Sequence, residues 1–307
     1  MDIGKKIHVA VMMSSYNGEQ YIREQIDSIF LQEGVEVTLY IRDDGSTDKT
    51  RNIINEYATN SNVIAIYGEN LGFQRSFMYI VKDIPDTYDY YAFSDQDDYW
   101  ESDKLLRGIQ ALKNNEGTDL YTSSLNVVDD KLRHQYYNNF PKLHATFGSA
   151  ISRQRLAGCT MVFTSRLLNL AKKFPIDSYY MLFSHDAVVY YLALSIGSNV
   201  YFDEKSHILY RRHIGTVTEH GKGLRKRIQS VTNIFSSGKS VKYSQIATLY
   251  NYYRNDMSSE VLSYCDKVLV YRESILKTFD LLMDKRVRCG IMSVDVINAI
   301  AILLRCY

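Results

Sequence analysis

Tyr90-Tyr91-Ala92-Phe93-Ser94-Asp95-Gln96-Asp97-Asp98-Tyr99-Trp100 is the stretch on which the fold turns. Its apolar, aromatic-rich opening predicts a strand over Tyr90–Ser94. That strand runs straight into three carboxylates within four residues. Charges this close repel one another and cost stability unless a cation or hydrogen bonds compensate them. A hard divalent ion with oxygen ligands is the natural compensator. A solvated acidic loop is the plain alternative, but Phe93 before it and Tyr99-Trp100 after it argue against mere solvation. A helix over Ser102–Lys113 follows.

The same strand-loop-helix unit recurs towards the N-terminus. Ile7–Met13 reads as a buried strand and Glu19–Gln32 as a helix with Tyr21, Ile22, Ile26, Ile29 and Phe30 on one face. Val37–Arg42 is the next strand. The turn after it opens a helix, with Ser46 or Thr47 as N-cap, Asp48 in the first turn and Ile53, Ile54 and Tyr57 on the apolar face. A third strand covers Val63–Tyr67 and a third helix starts near Phe73. Alternation every ~25 residues predicts right-handed βαβ units on a mostly parallel sheet flanked by helices, an α/β fold. The polar residues following these strands then gather at the carboxyl edge, where open α/β sheets bind ligands. Further on, the pattern predicts strands at Asp119–Val127, Met161–Phe163 and Val200–Tyr210, and a helix at Ser184–Ile196. From about Lys222 it turns helical, with Val268–Met283 the clearest case. Residues 1–221 and 222–307 are thus expected to form two regions.

Of the 307 residues, 46% are hydrophobic and 23% charged, which excludes disorder and coiled-coil composition. Cys159, Cys265, Cys289 and Cys306 lie far apart without a C-x-x-C pair, so neither a disulfide framework nor a zinc ribbon is indicated. The opening residues lack a signal peptide's apolar stretch and no run reaches the ~18 apolar residues of a membrane span, so the cytoplasm is the expected location. The net charge of +1 conceals a split. Residues 222–307 carry 14 Lys and Arg against 7 Asp and Glu; the preceding residues carry 22 against 28. An acidic region suits a cation and a basic one an anionic surface. Nucleic acid is not an expected partner, because no recognised binding module accompanies the basic residues.

Asp43-Asp44-Gly45-Ser46 ends the second strand. Its carboxylates suit the N–H of a uracil or thymine base and ribose hydroxyls, while an Asp-Gly turn with a helix cap explains it equally well. A dinucleotide site is disfavoured, since Ser14-Ser15-Tyr16-Asn17-Gly18 stands where G-x-G-x-x-G belongs. Taken together, Ser15–Glu19, Asp43–Asp48, Asn70-Leu71-Gly72 and Asp95–Asp98, in that order, resemble the motifs of family 2 glycosyltransferases over roughly residues 7–215. The resemblance implies the GT-A fold and inverting transfer of a sugar from a nucleotide diphosphate donor. The forms Ser94–Trp100, Ala157–Phe163 and Tyr210–His213 look most like the bacterial rhamnosyltransferases of cell-surface polysaccharide synthesis.

Carried onto this sequence, the resemblance implies that Asp43 and Asp44 meet base and ribose. Ser15, Tyr16 and Asn17 line the nucleotide pocket, and Asn70, Arg75 and Arg212 approach the donor. Asp95 and Asp97 form the D-x-D element. Asp97 ligates Mn2+ or Mg2+, with His213 near metal or diphosphate, and Asp95 lies nearer the ribose or sugar. Asp186 is the candidate base, although a plain N-cap fits it too. The family usually has an acidic pair here, where this chain has His185-Asp186. Trp100, Gly158 and His185 are assigned towards the acceptor, with core packing an equal reading for Trp100. Arg75 reads equally well as a surface helix residue, and Cys159 reads as a small packed residue and not a nucleophile, since no thiolate-stabilising neighbour is evident. The implied donor is a dTDP- or UDP-sugar and the acceptor a saccharide or lipid-linked saccharide. Gly221–Arg227 with the apolar stretch Ile291–Leu304 suits an anionic bilayer, a helical subdomain or a homodimer contact. The rival functions are a nucleotide-sugar-binding protein without turnover and a nucleotidyltransferase, whose early Gly-rich, basic loop is missing.

Overall fold

Strand β1 (Ile7–Ser15) lies at the centre of the amino-terminal half, and its period-two alternation decides both faces of the sheet. Ala10 and Met12 point into one apolar cluster, Val9, Val11 and Met13 into the other. The computed structural model describes residues 6–139, 145–153, 156–176, 182–212 and 241–307. Strands β2 (Val35–Asp43), β3 (Val63–Tyr67) and β4 (Tyr90–Ser94) run parallel to β1 in the order β3-β2-β1-β4. Helices α1 (Ile22–Phe30), α2 (Thr50–Tyr57) and α3 (Phe73–Asp83) are the crossovers. Each presents an apolar stripe to the sheet: Ile22, Ile26 and Ile29 of α1 on one face, Phe77, Ile80 and Val81 of α3 on the other.

The remaining strands extend the sheet. Two-residue β5 (Tyr99–Trp100) precedes α4 (Lys104–Asn114), then β6 (Thr118–Val128) and β7 (His134–Asn138). A short helix α5 (Phe147–Ser152) leads to β8 (Val162–Thr164), α6 (Ser165–Lys172), α7 (His185–Ser195) and the long β9 (Asn199–Arg211). The path is β3-β2-β1-β4-β8-β6-β9-β5, with β7 against β6. β8 enters antiparallel to both β4 and β6, and β5 antiparallel to β9, so this half is mixed and the parallel pairings are fewer than the alternation predicts. The carboxyl ends of β1, β2 and β4 share one edge, as expected.

Two local expectations are corrected. Helix α2 starts at Thr50, not at Ser46 or Thr47, because Ser46 Oγ takes the Asn17 N–H instead and Asp48 accepts the N–H of Thr50. Val268–Met283 is not one helix. α9 (Ser259–Val270) ends, and α10 (Ile275–Met283) begins where Ser274 Oγ accepts the Lys277 N–H, a side-chain cap. With α8 (Val241–Tyr253) and α11 (Met292–Leu303) they form the expected carboxyl-terminal helices. Ile246, Tyr253, Tyr264, Val268 and Tyr307 belong to the same apolar cluster as Phe93 and Phe163 of the sheet, so these helices rest on the core of the first region. Among the described residues no helix is long and apolar enough to cross a membrane. All four cysteines are buried free thiols.

Candidate active site

The loops after β1 and β2 are laced together. Asn17 takes a left-handed φ of 47°, donates its N–H to Ser46 Oγ (3.0 Å) and accepts the Thr47 N–H at 2.8 Å. Short polar side chains tolerate that conformation. Gly45, with φ 83°, passes so close to the third loop that a Cβ would lie 2.9 Å from the Asn70 backbone nitrogen; only glycine fits. Asp44 is buried with both oxygens engaged, by Arg42 and by the N–H groups of Leu71 and Gly72 at 2.9 Å each. Asp43 is buried as well. One of its oxygens accepts from Arg51 Nε (2.6 Å) and the Ser46 N–H (3.2 Å). The other, Oδ1, has no partner among the described residues. A buried acceptor left unpaired costs on the order of 1–3 kcal/mol, which a ligand N–H or hydroxyl would recover. Asn70 is exposed and braces Gly72, and Arg75 is half-buried in the first turn of α3.

Gln96 joins the first loop to the acidic one. Its Oε1 accepts from Ser15 Oγ (2.8 Å) and the Tyr16 N–H (2.9 Å), and its amide donates to the Tyr16 carbonyl at 3.0 Å. Arg211 holds the acidic loop from the far side. Its backbone N–H donates to Asp98 (3.0 Å), and its guanidinium to the Asp97 carbonyl (2.8 Å), the Asp130 carbonyl (2.6 Å) and Glu24. The guanidinium also lies 4.4 Å from the Tyr21 ring centroid. Asp95 is part-exposed, yet desolvation, then the charges of Asp97 and Asp186, push its carboxyl up to about 7. Asp98 is fully buried and is pushed well above the carboxylate range by burial and by Asp97 and Asp95.

Asp186 thus faces a loop 90 positions away in the chain. It stands in the first turn of α7, whose N-cap is Ser184, so the plain N-cap reading does not describe it. One carboxylate oxygen accepts from Ser184 Oγ and the Ala187 N–H (2.8 Å). His185 is buried in an aromatic nest, stacked on Phe77 at 3.8 Å and edge-on to Phe93 at 4.7 Å. Burial lowers its pKa to about 4, opposed by Asp186, so it is a neutral imidazole at neutral pH. Gly158 closes the site from below. A Cβ there would sit 2.6 Å from His185 Nε2 and 3.2 Å from Asp186 Cβ. Gly158→Ala is therefore expected to displace the start of α7, at a cost of about 1–3 kcal/mol. A lower melting temperature together with slower turnover checks this; unchanged values for both would show that the site tolerates the methyl.

One assignment changes, and one reading holds. Trp100 is 1% exposed within the core, with Lys104 Nζ 3.6 Å from its ring centroid, so it offers no face to an acceptor sugar. The apolar β5–β9 edge buries it, as the core-packing reading allowed. Cys159 is buried beside Asp95 and Asp98, and desolvation, then Asp98 and Asp95, raise its thiol well above the usual range. It is a packed thiol, not a thiolate. Arg212 is half-buried, with its N–H on the Val128 carbonyl at 2.9 Å. His213 and the Gly221–Arg227 cluster lie outside the described residues. Gln96, Arg211 and Arg51 are the residues that motif reading passed over. Gln96 was visible within the acidic motif, but no spacing singles out Arg211 or Arg51.

The fold and the gathered carboxylates define a glycosyltransferase of the GT-A type. Residues 10–174 match the model of Glycosyl transferase family 2, and the chain belongs to that family. It is 33% identical over 218 residues to the dTDP-rhamnosyl transferase RfbG of Shigella flexneri, covering 66% of this chain and 71% of that one. It is 25% identical over 264 residues to the UDP-Glc:alpha-D-GlcNAc-diphosphoundecaprenol beta-1,3-glucosyltransferase WfaP of Escherichia coli, covering 84% and 98%. The crystal structure of S. aureus TarS 1-349 in complex with UDP-GlcNAc superposes with a TM-score of 0.57 at 16% identity, over 98% of this chain and 81% of that one.

Proposed function

We propose that the chain transfers a sugar with inversion from a nucleoside diphosphate donor, dTDP-L-rhamnose first among candidates, to a saccharide or lipid-linked acceptor in cell-surface polysaccharide synthesis. The observation carrying this reading is that the Gly158-Cys159 turn brings Asp186 and the acidic loop together: a Cβ on Gly158 would lie 3.2 Å from Asp186 Cβ, and Cys159 Sγ lies within 4.8 Å of carboxylate oxygens of Asp95 and Asp98. RfbG, by name a dTDP-rhamnosyl transferase, supports the donor, and WfaP, by name acting on a diphosphoundecaprenol-linked sugar, supports the acceptor class.

In this reading Asp43 accepts from the base or ribose through Oδ1, and Asp44 holds the Asn70–Gly72 loop in place. Ser15, Tyr16 and Asn17 form the nucleotide wall, with Asn70, Arg75 and Arg212 towards the phosphates and sugar. The crowded acidic loop fits an oxygen-seeking divalent cation, Mn2+ or Mg2+, because its carboxyls carry repulsion that such an ion relieves. Asp97 would be the direct ligand, with Asp95 nearer the ribose or donor sugar and His213 near metal or diphosphate. When bound, the cation supplies electrostatic stabilisation of the departing diphosphate. Asp186 accepts the acceptor hydroxyl proton as its oxygen bonds to the anomeric carbon and the bond to the diphosphate breaks. Gly158 leaves room for His185 and Asp186 to sit against the turn beneath the sugars, and His185 forms the apolar floor beneath Asp186. Transfer belongs to residues 1–221; residues 222–307 form a helical extension that serves surface contact at the inner face of the membrane.

The donor is tested by thermal shift across nucleotide sugars with and without manganese. dTDP-rhamnose is expected to protect best and UDP-sugars next. Equal protection by a purine nucleotide sugar would remove the pyrimidine assignment of Asp43. Protection without transfer or donor hydrolysis would favour a binding protein.

A further inference from the structure

Helices α10 and α11 bury Leu281, Ala301 and Ile302 in the core, yet each exposes a second apolar flank. They pack against each other, and the side chains they bury include Thr278 and Asn298. Thr278 Oγ1 donates to the Tyr271 carbonyl (2.9 Å), and the Asn298 amide to Ser152 Oγ (3.1 Å). Their outward flank carries Leu276, Phe279 and Met283 of α10 and Met292, Val296 and Ile300 of α11, with Leu276 82% and Met292 83% exposed. A helix of a soluble domain normally turns its apolar stripe to the core and its polar side chains to water. A contiguous exposed apolar face of this kind marks an interaction surface.

The charges around the face decide what covers it. Lys285 and Arg288, in the α10–α11 connection, and Arg305, just past α11, are exposed and form no ion pair with another described side chain. The carboxylates of the segment are each engaged. Glu273 pairs with Lys277, Asp280 with Lys267, and Asp284 with Arg286. Asp295 accepts the Cys289 N–H at 2.7 Å. Exposed apolar helix flanks bordered in sequence by exposed cations complement an anionic surface with an apolar interior. Two such plates placed face to face would bring charges of one sign together, which disfavours a second copy as the occupant. The 12 residues of α11 rise roughly 18 Å, short of the ~30 Å hydrocarbon thickness, so the helix lies in the interface and does not span it.

We infer that the α10–α11 plate docks the protein on an anionic lipid bilayer, with the apolar side chains inserted at the acyl boundary and Lys285, Arg288 and Arg305 among the headgroups. The inference rests on the membrane contact proposed above for residues 222–307 and is independent of donor and acceptor. The test is co-sedimentation of the full chain with vesicles of phosphatidylglycerol and phosphatidylethanolamine, and with vesicles of phosphatidylcholine alone. Wild type is expected to sediment with the first and weakly with the second. Leu276→Gln/Met292→Gln should weaken binding tenfold or more, because two large apolar side chains lose their burial at the acyl boundary. Lys285→Gln/Arg288→Gln/Arg305→Gln should lower it by about tenfold or more and remove the preference for anionic lipid. Unchanged melting temperatures are expected, since every substituted side chain is exposed. The inference fails if wild type stays in the supernatant, or if the Leu276/Met292 variant binds as well as wild type. It fails equally if light scattering finds a dimer that this variant dissolves without any vesicle binding.

Discussion

Asp97→Asn is expected to abolish transfer and metal-dependent donor binding while leaving the melting temperature within about two degrees of wild type. The fold should survive because Arg211 grips this residue by its backbone carbonyl, which the substitution does not touch. The side chain is part-exposed on a loop, so no core packing is lost. In the proposed mechanism, what disappears is one negative charge that would hold the divalent cation. Metal-assisted stabilisation of a leaving group is worth several kcal/mol, so a fall of roughly a thousandfold in turnover is the scale to look for. Donor affinity measured by calorimetry should drop in the presence of manganese and change little in its absence. Full-rate transfer by chelator-treated wild type would remove the cation from the mechanism altogether.

Asp186→Asn should lower transfer by on the order of 100-fold or more with donor affinity near wild type. Asparagine keeps an oxygen able to accept from Ser184 Oγ and the Ala187 N–H, so the first turn of α7 retains its hydrogen bonds. Only proton affinity is lost. Asp186→Ala should remove both and lower the melting temperature as well. A purely structural role predicts a different pattern: little kinetic change for Asn and reduced stability for Ala. Measuring melting temperature, donor affinity and turnover on both variants separates the two, and an Asn variant with most of its activity would take Asp186 out of the chemistry.

Elements whose identity depends on local pattern were legible. Val63–Tyr67, Tyr90–Ser94 and the helix start at Phe73 fall where the apolar pattern puts them: Tyr90–Ser94 carries a continuous apolar run buried on both faces, and α3 buries one apolar stripe. The motif residues on the loops after β1, β2 and β4 do converge, since parallel strands must deliver them to one edge. Pairwise partners over long range were not legible. Trp100 looks like a platform when seen beside an acidic motif, yet its burial depends on β9, more than a hundred residues later. Arg211 looks like one cation in a basic pair, and only the folded chain brings it to Glu24, Asp97 and Asp130. Ser46 has every property of an N-cap, but Asn17 competes successfully for its hydroxyl.

The grip of Arg211 on the acidic loop has a consequence for the order in which the molecule is made. Among the described residues strand β5 pairs with β9 alone, and the Asp97 carbonyl, Asp98 and Glu24 all wait for residue 211. During synthesis β1 to β4 and their helices emerge first and are able to pair among themselves, whereas contacts of such sequence separation form late. The amino-terminal sheet is therefore assembled while its acidic loop is still unfastened, and the loop acquires its final shape only as the last strand docks. A nascent chain carries every carboxylate of the site before it has the site itself, so competence for chemistry is acquired only after residue 211 has emerged.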